Sequence, residues 1–341
     1  MRASYWRTLA DGRIECQLCP RRCHMRDGQH GYCFVRQNRG GVLELVTYGR
    51  TSGLAIDPIE KKPIYHMSPG ASVLSFGTAG CNLGCRFCQN WHISTARDMS
   101  VISVDASPEA IVQVGLHQNC RGIAYTYNEP TIYPEFATDI AWCAREAGLV
   151  NIAVTAGYIN PTPRTDFFAH MDAANVDLKS MNPAFYRQLT GGRLEVVQDT
   201  LAYLVHETNV WVEVTMLVIP GFNDSDAEFG QLADWIAEKL NPDIPLHLSA
   251  FHPSNRMMDV PRTPPATVLR AREIALAAGL RYVYSGNIAD DAGSTTYCRA
   301  CGVALVRRRG YTIVATRFTS DGRCKQCGAS VPGRWVLPRH L

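Results

Sequence analysis

Residues 75–93 read SFGTAGCNLGCRFCQNWHI, and they place Cys81, Cys85 and Cys88 in a C-x3-C-x2-C loop directly after a β-branched and aromatic run, SVLSFGT (72–78). Three thiolates on one short loop suit three irons of a [4Fe–4S] cube, a cluster type held by cysteine. A missing fourth thiolate leaves one iron open to a small-molecule ligand. Gly77, Gly80 and Gly84 allow close wrapping without Cβ clashes. The competing reading is a zinc loop completed by His92.

Outward from this loop the chain alternates. Strand-like runs recur at GIAYTYN (122–128), NIAVTAG (151–157), AANVDLK (173–179), VWVEVTMLVI (210–219), LHLSAF (246–251) and RYVYSG (281–286). Helical stretches fall between them at 107–119, 133–148, 194–208, 224–240 and 265–279. Ser107-Pro108 reads as N-cap and N1, Asp224 and Ser225 as cap candidates, and Gly148 and Gly279 as helix-ending glycines. Alternating βα units imply a parallel sheet with right-handed crossovers. About six units predict an α/β fold with an open or partial (β/α)6 barrel, since eight would typically use ~250 residues.

The chain of 341 residues, 46% hydrophobic and 19% charged, predicts a large globular domain with small appendages. No apolar run approaches the ~20 residues of a membrane helix, and the opening MRASYWRTLADGRIECQLCP lacks an apolar export segment. A reducing, cytoplasmic setting is expected, where disulfides rarely persist. Eleven of the 13 cysteines then read as metal ligands, leaving Cys120 and Cys143 alone. The net charge of +3 names no partner, but residues 298–341 hold nine Lys/Arg and one Asp, a basic tail on an acidic body.

The loop Cys81/Cys85/Cys88, with an aromatic before its third cysteine and a (β/α)6-like pattern behind it, resembles the radical S-adenosylmethionine (SAM) superfamily. The resemblance implies a partial (β/α)6 TIM-like barrel and a [4Fe–4S] cluster whose open iron chelates SAM. One electron then cleaves SAM to methionine and a 5′-deoxyadenosyl radical, which abstracts hydrogen from a substrate. It also implies SAM contacts. Phe87 takes the place beside the adenine, and Asn128-Glu129-Pro130 stands where the superfamily has Gly-Gly-Glu-Pro, with Glu129 accepting the SAM ammonium and Asn128 replacing a glycine. Asp177 and Lys179 resemble the ribose and carboxylate contacts of the activating-enzyme branch, with Thr155 and an inward-pointing His252 as further candidates. All fall at C-terminal strand ends, where barrel enzymes place their sites.

The flanks carry four cysteines each. Cys16/Cys19/Cys23/Cys33 reads as an all-thiolate zinc site or a second [4Fe–4S] cluster, with zinc favoured as the commoner structural staple. Arg21, Arg22, His24 and Arg26 crowd that loop as thiolate-stabilising cations. Cys298/Cys301/Cys324/Cys327 predicts a zinc ribbon, with rubredoxin-like iron as the alternative. Its Arg307, Arg308, Arg309, Arg317, Arg323 and Lys325 suggest docking to RNA or an acidic protein, with Tyr311, Phe318 and Trp335 as the only aromatics for base stacking. The expected division is a Cys-rich segment at 1–70, a core at 71–292 and a ribbon at 293–341.

Over roughly residues 14–290 the likeness narrows. CQLCPRRCHMRDGQHGYCFVRQN, YGRTSGLAIDPIEKKPIYHMSPG (48–70) and SFGTAGCNLGCRFCQNW together resemble the radical SAM component of the AmmeMemoRadiSam system, related to pyruvate formate-lyase activating enzyme. The family implies Memo-like and AMMECR-type partners and an electron donor such as flavodoxin or ferredoxin. Three functions follow: a radical SAM enzyme in that system, a glycyl-radical activase acting on a partner protein, or a non-enzymatic metal- or RNA-binding protein. The third predicts zinc without iron and no SAM cleavage.

Overall fold

The computed structural model describes residues 1–97 and 104–335. We label the central strands β1 (Arg50–Pro58), β2 (Ser72–Gly77), β3 (Gly122–Tyr125), β4 (Val150–Thr155), β5 (Ala173–Asp177), β6 (Trp211–Val218), β7 (Leu246–Ala250) and β8 (Val283–Gly286). β2 to β8 lie side by side in chain order and every neighbouring pair is parallel. β1 runs antiparallel beside β2, and the two-residue strand Val104–Asp105 finishes that edge.

Six crossover helices join the parallel strands: α1 (Pro108–His117), α2 (Pro134–Glu146), α3 (Pro161–Phe168), α4 (Leu194–Glu207), α5 (Asp226–Lys239) and α6 (Pro265–Ala277). Ser107 caps α1 by accepting from Ala110 N at 3.2 Å, with Pro108 at N1 where no hydrogen bond is lost. Ser225 does the same for α5 through Glu228 N, while Asp224 instead accepts from Gly221 N. Gly148 and Gly279 follow α2 and α6 at φ +72° and +99°, the left-handed turn that ends a helix. β3 is buried on both faces, as a covered parallel strand must be.

Two elements depart from the expected pattern. α3 follows Asn160 in a stretch outside the expected helices, and it buries Pro163, Arg164, Phe167 and Phe168. β1 belongs to the central sheet, so the sheet begins inside the segment assigned to the N-terminal appendage.

Both appendages pack against the core that carries the central sheet. The N-terminal part forms a three-stranded antiparallel sheet (Trp6–Thr8, Ile14–Cys16, His24–Met25) and a hairpin (Arg36–Arg39, Val42–Leu45). Buried Arg36 forks onto the α2 carboxylate Glu135, with N–O distances of 3.1 Å, and Ser4 N donates to the same carboxylate at 2.7 Å. The C-terminal ribbon is a three-stranded antiparallel sheet, β9 (Thr296–Tyr297), β10 (Ala304–Arg309) and β11 (Thr312–Thr316). Its Leu305, Val306 and Trp335 share a core with Tyr65, Tyr282 and Tyr284. Arg308 is wholly buried there, with Glu60 at 3.5 Å, Tyr65 O at 2.7 Å, Ser294 O at 3.2 Å and Thr296 Oγ1 at 3.0 Å. A hydrogen-bond chain continues from Thr296 through Tyr284 and His66 to the Pro332 carbonyl.

Candidate active site

The C-terminal ends of the parallel strands open into a cavity of about 830 Å3, within the usual range for a small-molecule site. The cysteine loop follows β2, so Cys81, Cys85 and Cys88 reach this cavity at its strand-end rim. Among the described residues the three sulfurs do not all lie within 4.8 Å of one another, as the four ribbon sulfurs do, and so stand wider than the ~3.8 Å edge of a zinc tetrahedron. His92 is exposed and lies outside the cavity lining, so the loop gains no zinc ligand from it. Burial pushes the Cys85 thiol up to about 12 despite the nearby Lys179, and burial also raises the Cys81 thiol well above its usual value, so cluster assembly must displace protons.

The loop is held from four directions. Asn128 Nδ2 donates to Gly80 O at 2.8 Å, Thr78 Oγ1 at 3.1 Å and Ala79 O at 3.2 Å, while its Oδ1 accepts from Thr78 N at 3.1 Å. Gly84 N and Arg86 N donate to Thr190 O and Leu189 O, in a π-helical turn (Tyr186–Thr190) after β5. Beyond β7, Asn255 Nδ2 donates to Cys85 O and Ser254 Oγ to Cys88 O, both at 3.1 Å. From the N-terminal segment, Arg21 donates to Asn82 O. The loop glycines answer to protein rather than to a cluster. A Cβ at Gly77 would sit 2.7 Å from Thr126 O, and one at Gly80, where φ is +80°, would overlap the Cys33 carbonyl.

Six of the seven residues expected around SAM line the cavity: Phe87, Asn128, Glu129, Thr155, Asp177 and Lys179. His252 does not; it is half-buried and outside the lining, and its neighbours Ser254 and Asn255 brace the cysteine loop instead. The chain turns away after Ala250 and spends its polar groups on the Cys85 and Cys88 carbonyls. Asn128 lines the cavity, but its amide is committed to the loop backbone, so it acts as a positioning residue.

Glu129 is buried and its pKa is raised by that burial. Its Oε1 accepts from Thr131 N at 3.1 Å and from the Thr155 hydroxyl, and its Oε2 accepts from Ala156 N at 2.7 Å. One acceptor position at Oε2 stays open for a cation. Lys179 Nζ lies 2.8 Å from Asp177 Oδ2 and 5.9 Å from the Phe87 ring. Burial opposes the Lys179 charge, but Asp177 outweighs it and the ammonium's pKa ends above its usual value. Asn223, missed by sequence reading, ties the site together by donating to Lys179 O at 2.8 Å and Leu217 O at 2.9 Å. Thr215 Oγ1, at the cavity wall on β6, is buried without a hydrogen-bond partner.

The cavity wall also takes in Arg309, Gly310 and Tyr311 from the tip of the ribbon hairpin. The ribbon's four sulfurs lie within 4.8 Å of one another, with Cys298–Cys327 at 3.6 Å and Cys301–Cys324 at 3.7 Å. A tetrahedron with Zn–S bonds of about 2.3 Å has edges of about 3.8 Å, so these residues fit one tetrahedral metal. The expected basic docking face is reduced. Arg308 is buried against Glu60, Arg323 pairs with Asp321 at 3.1 Å, Tyr311 faces the cavity, and Trp335 is buried with Phe318 against it.

The donor set suits a cube with one open iron: three half-buried thiols on one braced loop, a cavity beside them, and a carboxylate with a spare acceptor. The Radical SAM superfamily pattern matches residues 76–235. "Uncharacterized protein MJ0808" of Methanocaldococcus jannaschii is 40% identical over 332 residues, covering 96% of this chain and 98% of its own. The pyruvate formate-lyase-activating enzyme of Clostridium pasteurianum is 24% identical over 177 residues, covering 49% of this chain and 70% of its own. In fold, a radical SAM methyltransferase from Sphaerobacter thermophilus superposes with a TM-score of 0.51 at 18% identity, covering 64% of this chain and 67% of that one. Residues 76–235 thus form a radical SAM superfamily domain, and the chain belongs to one family with its Methanocaldococcus relative.

Proposed function

We propose that this protein cleaves SAM reductively and directs the resulting 5′-deoxyadenosyl radical at a substrate held in the same cavity. The observation that carries the reading is the convergence of Cys81, Cys85 and Cys88 with Glu129, Asp177 and Lys179 on one cavity at the strand ends. When bound at the three cysteines, a [4Fe–4S] cluster supplies the electron that breaks a SAM C–S bond.

The remaining work belongs to the chain. Glu129 Oε2 accepts the SAM ammonium, and the arriving cation offsets the cost of a buried carboxylate. Lys179 faces a carboxylate and holds Asp177 in place through Oδ2, which leaves the other Asp177 oxygen for ribose hydroxyls. Phe87 offers an apolar face to the adenine, and Thr155 fixes the rotamer of Glu129. Arg309–Tyr311 form part of the far wall. The reading includes a cytoplasmic setting, a one-electron donor such as flavodoxin or ferredoxin, and Memo-like and AMMECR-type partners, all supported by family resemblance. Among the described residues no helix is long and apolar enough to cross a membrane.

The second reading is a glycyl-radical activase. The relative named pyruvate formate-lyase-activating enzyme favours it. It requires a partner with a glycine loop, and failure to raise a backbone radical on any such partner would remove it. The general test is the Cys85→Ala variant, reconstituted anaerobically. It keeps the far-UV dichroism of the fold and loses SAM cleavage; cleavage at the wild-type rate would contradict the assignment.

A further inference from the structure

We propose that Cys16, Cys19, Cys23 and Cys33 hold a second [4Fe–4S] cluster rather than zinc. This does not rest on the SAM reading. The chain carries its own comparison. The ribbon sulfurs close to the edge lengths of a zinc tetrahedron, with all four inside 4.8 Å. Among the described residues no three of the N-terminal sulfurs do so, although all four cysteines border one small, largely enclosed hollow. Four thiolates facing a common centre at wider spacing suit a cube, whose corners stand apart, and not a single ion.

The walls agree with that occupant. Leu18 and Ile132 make them apolar, and they leave no carboxylate in the lining to take a ligand's place. Arg36, 1% exposed, lies on the hollow with its Nε buried and without a hydrogen-bond partner. An unused buried donor beside four thiolates points to an anionic group, and hydrogen bonds toward cluster sulfurs are a recognised means of tuning potential. Tyr32 N already donates to Cys23 Sγ at 3.3 Å. The cations expected to crowd this loop mostly do not serve it. Arg22 and His24 join Arg7 on Glu15, at 3.1, 3.3 and 3.1 Å.

The hollow also touches the catalytic loop. Asn82, between Cys81 and Cys85, is one of its lining residues, and Gly80 passes against the Cys33 carbonyl. The two cysteine sets are therefore back to back.

The test is metal and sulfide analysis with Mössbauer spectra on full-length protein reconstituted anaerobically with iron and sulfide. The expected wild-type result is about eight irons, eight sulfides and one zinc per chain. The Cys81→Ala/Cys85→Ala/Cys88→Ala variant should keep about four irons as a [4Fe–4S] species whose EPR signal ignores added SAM. Wild-type protein with about four irons that the triple variant loses overturns the proposal, whatever the zinc count. So does a triple variant that folds by circular dichroism but holds no sulfide. If the triad itself fails to bind iron, the SAM reading falls instead, and the four irons of the triple variant would equal the wild-type count with Mössbauer lines unchanged.

Discussion

Replacing Asn128 by alanine tests how the catalytic loop is held. The amide makes one bond to Thr78 N and a 2.8 Å bond to Gly80 O, with weaker ones to Thr78 Oγ1 and Ala79 O. At about 1 kcal/mol net for each of the two better bonds, the variant gives up about 2 kcal/mol of loop order. That is roughly a 30-fold loss in the ordered population. The assay is titration of SAM into the reduced, reconstituted protein, followed by the change in cluster EPR. The apparent SAM affinity should weaken by roughly 30-fold, or triad iron should fall, while far-UV dichroism stays unchanged. Asn128→Asp should do no better, because it keeps the acceptor for Thr78 N but sets an anionic oxygen against the Ala79 and Gly80 carbonyls. Asn128→Gly, which restores the glycine of the superfamily pattern, should also lose affinity. A glycine variant with wild-type iron and affinity would refute the bracing role.

Other outcomes follow from the same geometry. Gly80→Ala combines a left-handed φ of +80°, costing about 1–2 kcal/mol, with overlap of the Cys33 carbonyl; it should lower iron at the triad and speed proteolysis of the N-terminal segment, and normal iron with normal SAM response would count against the described packing. His66 is buried, and its pKa is depressed to about 4 by desolvation, with Arg308 and His247 pushing the same way and Glu213 opposing. A depressed folded pKa gives stability that is full above the free value of about 6.5 and is lost as pH falls toward 4, about 3 kcal/mol in all. Because His66 bonds Tyr284 and Pro332, hydrogen exchange over 294–335 should rise across that window before the parallel strands loosen, and equal protection at pH 7 and pH 4.5 would contradict it. Cys324→Ala should release one metal per chain and leave SAM cleavage intact, because Arg309–Tyr311 touch the cavity wall and not the cysteine triad; loss of cleavage with the fold preserved would make the ribbon part of the SAM site.

The parallel sheet was legible because strands buried on both faces read as short apolar runs and the intervening helices carry their own caps and terminal glycines. β1 was not legible. Gly53 at φ +68° and a register shift between Ser52 and Ala55 break its period of two. α3 hid behind PTPRTDFF, where two prolines in the first turn and few apolar positions mask a helical face. The site was legible at residues whose chemistry is named by type and spacing, the cysteines and the Glu129 and Asp177–Lys179 ends. Residues that act by reaching distant backbone were not: Asn223, Ser254 and Asn255 carry no local signal, since their partners lie from 6 to 170 positions away. His252 drew attention as a titratable side chain, yet the polar amide and hydroxyl after it do the bracing. The ribbon read as a separable module because Cys spacing says nothing of what its strands pack against; Arg308 and its burial on Glu60 emerge only in three dimensions.

The central claim is that SAM binds the open corner of a cluster held by Cys81, Cys85 and Cys88. Anaerobic EPR of the reduced protein with and without SAM, paired with chromatography of the products, tests it most directly. The account predicts a signal that shifts on SAM addition and the appearance of 5′-deoxyadenosine, both absent in Cys85→Ala. A reduced cluster whose spectrum is indifferent to SAM, with no 5′-deoxyadenosine formed, would contradict it.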